Sequence, residues 1–160
     1  MLQGNSAARG QSFARGEVVM GRNTIELDIR VPNQTRYLSL IGRIGEDLAL
    51  ELEEEGGGRE VLAHQLNVVL TEAMANAILH AHEDDPDKTV HISLSISDNE
   101  LCIRVFDQGR GFDLNSVAEP GAGGDEEHGR GLFIIRCLMD MVTYRRSRGH
   151  NVLEMWKKLR

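Results

Sequence analysis

The sequence predicts an α+β fold, a two-layer α/β sandwich in which a mixed, mostly antiparallel sheet carries helices on one face. Three observations lead there. Alternating apolar and polar stretches come in neighbouring pairs, "VHISLSI" with "ELCIRVFD" and "MVTYRRS" with "NVLEMWKKL", each pair separated by a few turn residues. Two segments of helical periodicity follow one another, about Gln34 to Glu55 and about Glu60 to His82, with the breaker "GGG" at Gly56 to Gly58 between them. From the first hairpin onward helix and strand are segregated, which is the pattern of two packed layers and not of βαβ units. In a chain of 160 residues, 41% hydrophobic side chains suffice for one substantial core, so a single domain is expected over residues 23–160.

The elements follow in order. Residues 1–22 are rich in Gly, Ser, Gln and Arg without periodicity and predict a poorly ordered N-terminal arm. In "TIELDIRV", Ile25, Leu27, Ile29 and Val31 alternate with polar residues, giving a strand with one wet face that Pro32 ends. Leu38, Ile41, Ile44, Leu48 and Leu52 then recur at three and four, the apolar stripe of a first helix. The second helix stops before "EDDPDK", where Pro86 and the aspartates mark a loop. After the first hairpin comes "DQGRGFDLNSVAEPGAGGDEEHGRG", glycine-rich and too long to be a mere connection. A helix from about Leu132 to Asp140 and a hairpin turning at Gly149 complete the chain.

Charge and cysteine content exclude several function classes. With 25 acidic and 18 basic side chains and a formal charge of −7, the average surface repels a phosphate backbone or an anionic membrane, so no direct nucleic-acid or membrane partner is expected. Cys102 and Cys137 are flanked by apolar residues and form no Cys-x-x-Cys pair, which predicts buried reduced thiols and a cytoplasmic location. No apolar run approaches the roughly 20 residues of a membrane-spanning helix.

Within "TEAMANAILHAH", Glu72, Asn76 and His80 stand four apart and share one side of the second helix, opposite Leu66, Leu70, Met74 and Ile78. Such a stripe can simply face water. Its neighbours Ala73, Ala75 and Ala77 are small, however, and leave room for another body to approach. A carboxylate that can take a proton and an amide oxygen that can ligate a hard cation are what one wall of a magnesium–nucleotide site needs.

Two further stretches fit that reading. "DQGRGFD", Asp107 to Asp113, directly follows a strand: its aspartate can accept from an exocyclic amine while its glycines admit a flat ring, although a loop with two glycines is the plainer alternative. "HGRGLFII", His128 to Ile135, has Gly129 and Gly131 opening a helix, where unpaired amides and Arg130 would attract phosphate; an ordinary glycine-rich helix start is the rival. Neither a P-loop nor a Rossmann pattern occurs, His80 and His82 have no third ligand at metal spacing, and no nucleophile sits in a triad setting.

In this order, "EAMANAILHAH", "DQGRGFD" and "HGRGLFII" resemble the N, G1 and G2 boxes of the GHKL ATPases, the superfamily of gyrase, heat-shock-90 chaperones, histidine kinases and MutL. The form of the first box is most similar to the bacterial anti-sigma factor serine kinases of the RsbW and SpoIIAB type, over about Ile25 to Leu159. The resemblance implies that Asn76 ligates Mg²⁺ bound to ATP and that Glu72 is the general base on the attacking hydroxyl. It implies Asp107 on the adenine amine, Gly109 and Gly111 around the adenine, and the amides of Gly129, Arg130 and Gly131 on phosphate, with Phe112 to His128 as the ATP lid. The implied partners are an anti-anti-sigma-type protein substrate, a sigma factor and a second copy in a homodimer.

Two departures stand out. Between Phe112 and Gly129 there is no Lys or Arg, and "DEE" stands there instead; "GHN" at residues 149–151 stands where these proteins often place a glycine followed by threonine. The first departure supports an alternative function, a nucleotide-gated anti-sigma or partner-binding module with little kinase activity. A detached histidine kinase catalytic domain is the weaker rival, because His64 in "AHQLN" lacks the acidic residue and proline expected around a phosphoacceptor.

Overall fold

A computed structural model describes residues 24–52, 58–80, 87–111, 114 and 126–159. The expected N-terminal arm, the "GGG" breaker as far as Gly57, the "EDDPDK" loop up to Pro86 and nearly all of the expected lid lie outside the described residues. Among those described, strand β1 (Ile25–Pro32) leads through a 3-10 turn (Thr35–Tyr37) into helix α1 (Leu38–Glu51) and helix α2 (Arg59–His80). Strands β2 (Thr89–Ser97) and β3 (Glu100–Asp107), helix α3 (Glu126–Leu138) and strands β4 (Met141–Ser147) and β5 (His150–Lys158) follow. One five-stranded sheet runs in the order β1-β2-β3-β5-β4, and its four neighbouring pairs are all antiparallel. The α+β expectation holds, with no parallel pair among the described strands.

The hairpins form where the turn residues permit them. Asp98 (φ 50°) and Asn99 (φ 60°) join β2 to β3, while Arg148 (φ 50°) and Gly149 (φ 81°) join β4 to β5. Two successive positive φ values give the two-residue turn whose twist matches that of the strands. Register then places Ile92 opposite Val105 and Leu94 opposite Ile103, and Ile103 opposite Met155, so one face of the sheet is apolar across its centre. That face packs under the helices in a core that includes Leu66, Leu70 and Met74 of α2 and Leu132 and Ile135 of α3, all fully buried. On the opposite face the side chains of Arg104 and Glu154 form an ion pair, and the Asp28 carboxylate meets His91 Nε2 at 2.7 Å.

The first helix seats on the second through glycine as well as through the expected stripe. Gly42 and Gly45 are buried, and a Cβ at Gly42 would stand 2.6 Å from Thr71 Oγ1. At Gly45 it would run into Leu70 Cδ1 and approach the Leu66 carbonyl oxygen at 3.3 Å. The backbones can approach only because these side chains are missing. The expectation for the cysteines is half corrected: Cys102 is buried and burial pushes its thiol above the ordinary range, but Cys137 points outward from α3 and is exposed.

Candidate functional site

Helix α2 carries the polar stripe, and helix α3 meets it. The stripe does not face water: Asn76 is 7% exposed and Glu72 half-buried. A Cβ built on Gly131 of α3 would sit 2.6 Å from Glu72 Oε2, 3.5 Å from Asn76 Oδ1 and 3.6 Å from Asn76 Nδ2. The carboxylate, the carboxamide and the glycine of α3 therefore converge on one place between the two helices. The side chain of His80, third in the stripe, lies outside the described residues. Ala73 and Ala77 are buried in the core, so their small size serves helix packing and not the lining of that place.

Asn76 has a further peculiarity. Its Nδ2 is buried with no hydrogen-bond partner among the described residues. A buried amide left unpaired costs about 1–3 kcal/mol, a cost that a ligand supplying the missing partner would relieve. Asn76 Oδ1 and the Glu72 carboxylate are oxygen ligands of the kind Mg²⁺ takes, yet no group of three or more His, Cys, Asp or Glu among the described residues could hold an ion unaided. The donor set fits a cation that arrives with phosphate oxygens. Either amide atom of Asn76 can then serve, oxygen to the cation or nitrogen to a phosphate oxygen.

A second cluster lies at the end of β3. Asp107 is 5% exposed, and its Oδ1 accepts from Gly109 N at 2.8 Å and from Asn151 Nδ2 at 2.8 Å. Asn151 Nδ2 also donates to Gly109 O at 2.8 Å. Beyond it Gly111 adopts φ +78°, where a side chain would be strained, and a Cβ there would stand 2.9 Å from Asn151 Oδ1 and 3.3 Å from Tyr144 Oη. The glycines thus let the loop turn back onto the aspartate and Asn151.

Helix α3 departs from expectation at its start. It begins at Glu126, not near Gly129, so Gly129, Arg130 and Gly131 lie past its first residues. In this arrangement the amides of Arg130 and Gly131 are part of the helical ladder and not the unpaired donors anticipated. Arg130 is exposed on the helix surface. Sequence reasoning put Asn151 at the head of the last strand and noted "GHN" as a departure without giving Asn151 a role, and it missed Arg136, whose Nη2 donates to Leu114 O at 3.1 Å. The signals for Asn151 were the "GHN" departure and its place at the head of the last strand; the register of β3 and β5 then sets it directly opposite Asp107.

Among the described residues an antiparallel sheet lies under three helices, with a carboxylate and an amide on α2 facing a glycine of α3, and residues 32–157 match the histidine kinase-like ATPase domain family. The chain belongs to that family. It is similar to proteins named serine-protein kinase RsbW. It is 29% identical to the one from Listeria monocytogenes serovar 1/2a, over 80% of this chain and 84% of the relative. For Bacillus subtilis (strain 168) the identity is 26% over 83% and 86%, and for Oceanobacillus iheyensis it is 34% over 52% and 58%. Among the described residues no helix is long and apolar enough to cross a membrane.

Proposed function

We propose that this chain is a Mg–ATP-dependent protein-serine kinase that phosphorylates an anti-anti-sigma-type protein and, in the other state of a partner switch, binds a sigma factor. Residues 23–160 would act as one nucleotide-binding domain. The observation that carries the reading is the meeting of Glu72 and Asn76 at Gly131; the similarity to serine-protein kinases supports it.

In this reading Asp107 accepts from the adenine amine through Oδ2, and Gly109 and Gly111 close over the ring. Asn76 contributes its oxygen to Mg²⁺, which would supply charge neutralisation on the triphosphate. Glu72 Oε2 takes the proton of the substrate serine hydroxyl as that oxygen bonds to the γ-phosphorus. The bond from the γ-phosphorus to the bridging oxygen breaks, and ADP leaves with the electron pair. For Gly129, Arg130 and Gly131 to cradle phosphate through their amides, the residues ahead of Gly129 must give up their helical bonds when nucleotide binds.

The test is incubation with γ-labelled ATP, Mg²⁺ and an anti-anti-sigma-type protein shown to bind the chain. Label on a serine of that partner is expected; binding of both without transfer would overturn the kinase reading. The absence of Lys and Arg between Phe112 and Gly129 favours a second reading, a nucleotide-gated partner-binding module. In that case Glu72→Ala leaves partner affinity unchanged and there is no transfer to lose.

A further inference from the structure

Asn151 lies at the base of the Asp107 corner, 1% exposed, at the start of β5. Its amide nitrogen has two hydrogens, and both are used: one toward Asp107 Oδ1 and one toward Gly109 O, each at 2.8 Å. Carboxylate and carbonyl oxygens only accept, so the amide can sit one way round; exchanging its nitrogen and oxygen would face an acceptor with two acceptors. Asp107 Oδ1 takes the Gly109 amide as well. That oxygen is thereby doubly bonded to the protein, while Oδ2 has no hydrogen-bond partner among the described residues.

We propose that Asn151 is a positioning residue that sets base specificity: by saturating Asp107 Oδ1 and anchoring the Gly109 carbonyl, it leaves Oδ2 as the one acceptor presented to the nucleotide base and fixes its direction. The inference rests on the reading of Asp107 as the group that meets the exocyclic amine. A threonine hydroxyl has one hydrogen and can hold either the carboxylate or the loop carbonyl, not both. The carboxamide holds both, and its own oxygen lies against Gly111, where a Cβ would come within 2.9 Å. Carboxylate, loop and strand are locked together, and a ligand offering a hydrogen at the position of the 6-amine is favoured over one offering a 6-oxo group.

The experiment compares dissociation constants of Mg–ATP and Mg–inosine triphosphate, which carries a 6-oxo group in place of the amine, by calorimetry on the full chain, Asn151→Ala and Asn151→Thr. The full chain should prefer ATP. Asn151→Ala should lose about tenfold in ATP affinity, the worth of one charge-assisted hydrogen bond, with inosine triphosphate affinity unchanged, so that the preference collapses. Asn151→Thr should recover part of it, and it carries the same comparison if the alanine variant does not fold. Equal losses for both nucleotides would mean Asn151 merely supports the fold, and would overturn the proposal. A full chain that binds neither nucleotide overturns the nucleotide site itself; a full chain that prefers ATP, with the preference intact in both variants, overturns the role of Asn151 alone.

Discussion

Gly131 and Glu72 face one another across the gap between α3 and α2, so closely that a Cβ on the glycine would stand 2.6 Å from the carboxylate oxygen. The atom it would meet is the end of a flexible side chain, which can swing away at small cost. Gly131→Ala should therefore fold with a melting temperature close to the parent's, since alanine also favours helix. Glu72 would be turned from its position, and phosphoryl transfer should fall by about a hundredfold, the scale of an ångström's misplacement of a catalytic group. Paired thermal melts and transfer assays check both halves; a variant with full activity would remove Glu72 from the site.

Asn76 offers the reverse trade. Replacing it by leucine removes the unpaired buried Nδ2 and should raise the stability of the nucleotide-free protein by about 1 kcal/mol. The same variant should lose the upward shift in melting temperature that Mg–ATP is expected to give the parent. Melts with and without nucleotide would show both effects, and a leucine variant still stabilised by Mg–ATP would exclude Asn76 from binding.

Gly45 sits where α1 crosses α2, and a Cβ there collides with Leu70 Cδ1 and presses on the Leu66 backbone. Leucine can rotate, but the Leu66 carbonyl belongs to the helix ladder and cannot. Gly45→Ala should destabilise the fold by about 1–3 kcal/mol, as overpacking of a close helix contact does. Urea unfolding of the variant measures it, with a midpoint equal to the parent's as the contrary result.

Legibility of the fold followed physical type. The strands were plain because one buried face forces period two, and β3 matched "ELCIRVFD" at both ends. The buried glycines of α1 were not, since a search for apolar stripes looks for side chains and Gly42 and Gly45 act by having none. The early start of α3 was hidden by the two glycines of "HGRG", which read as a beginning, although Glu126 and Glu127 are the residues a helix dipole favours in a first turn. Glu72 and Asn76 were readable as neighbours on one side of a helix, and Asp107 as the last residue of a strand, from spacing and position. Asn151 was not, because its partners lie 44 and 42 residues away in the chain and only the pairing of β3 with β5 brings them together.

Acid should act through the opposite face of the sheet. Hydrogen bonding to the Arg104 guanidinium holds the Glu154 carboxyl below its ordinary value of 4.5, against burial, which raises it. A depressed carboxyl adds stability that is fully present above its unfolded value and is lost as pH falls through the lower folded value. Glu154→Gln should accordingly be less stable than the parent at pH 7, and the difference should begin to shrink as pH falls below about 4.5 and vanish below the lower folded value. Urea midpoints across that range would show convergence; parallel curves would mean the pair contributes nothing.

The latch of Asp107, Gly109 and Asn151 is made wholly of the chain's own groups, so its ordering is settled when the polypeptide folds and before any visitor arrives. On the proposed reading, a heterocycle entering there would find a preformed berth with little loop entropy left to quench. Changes at this corner should accordingly register chiefly as altered residence time, with the rate of arrival nearly constant from one variant to the next.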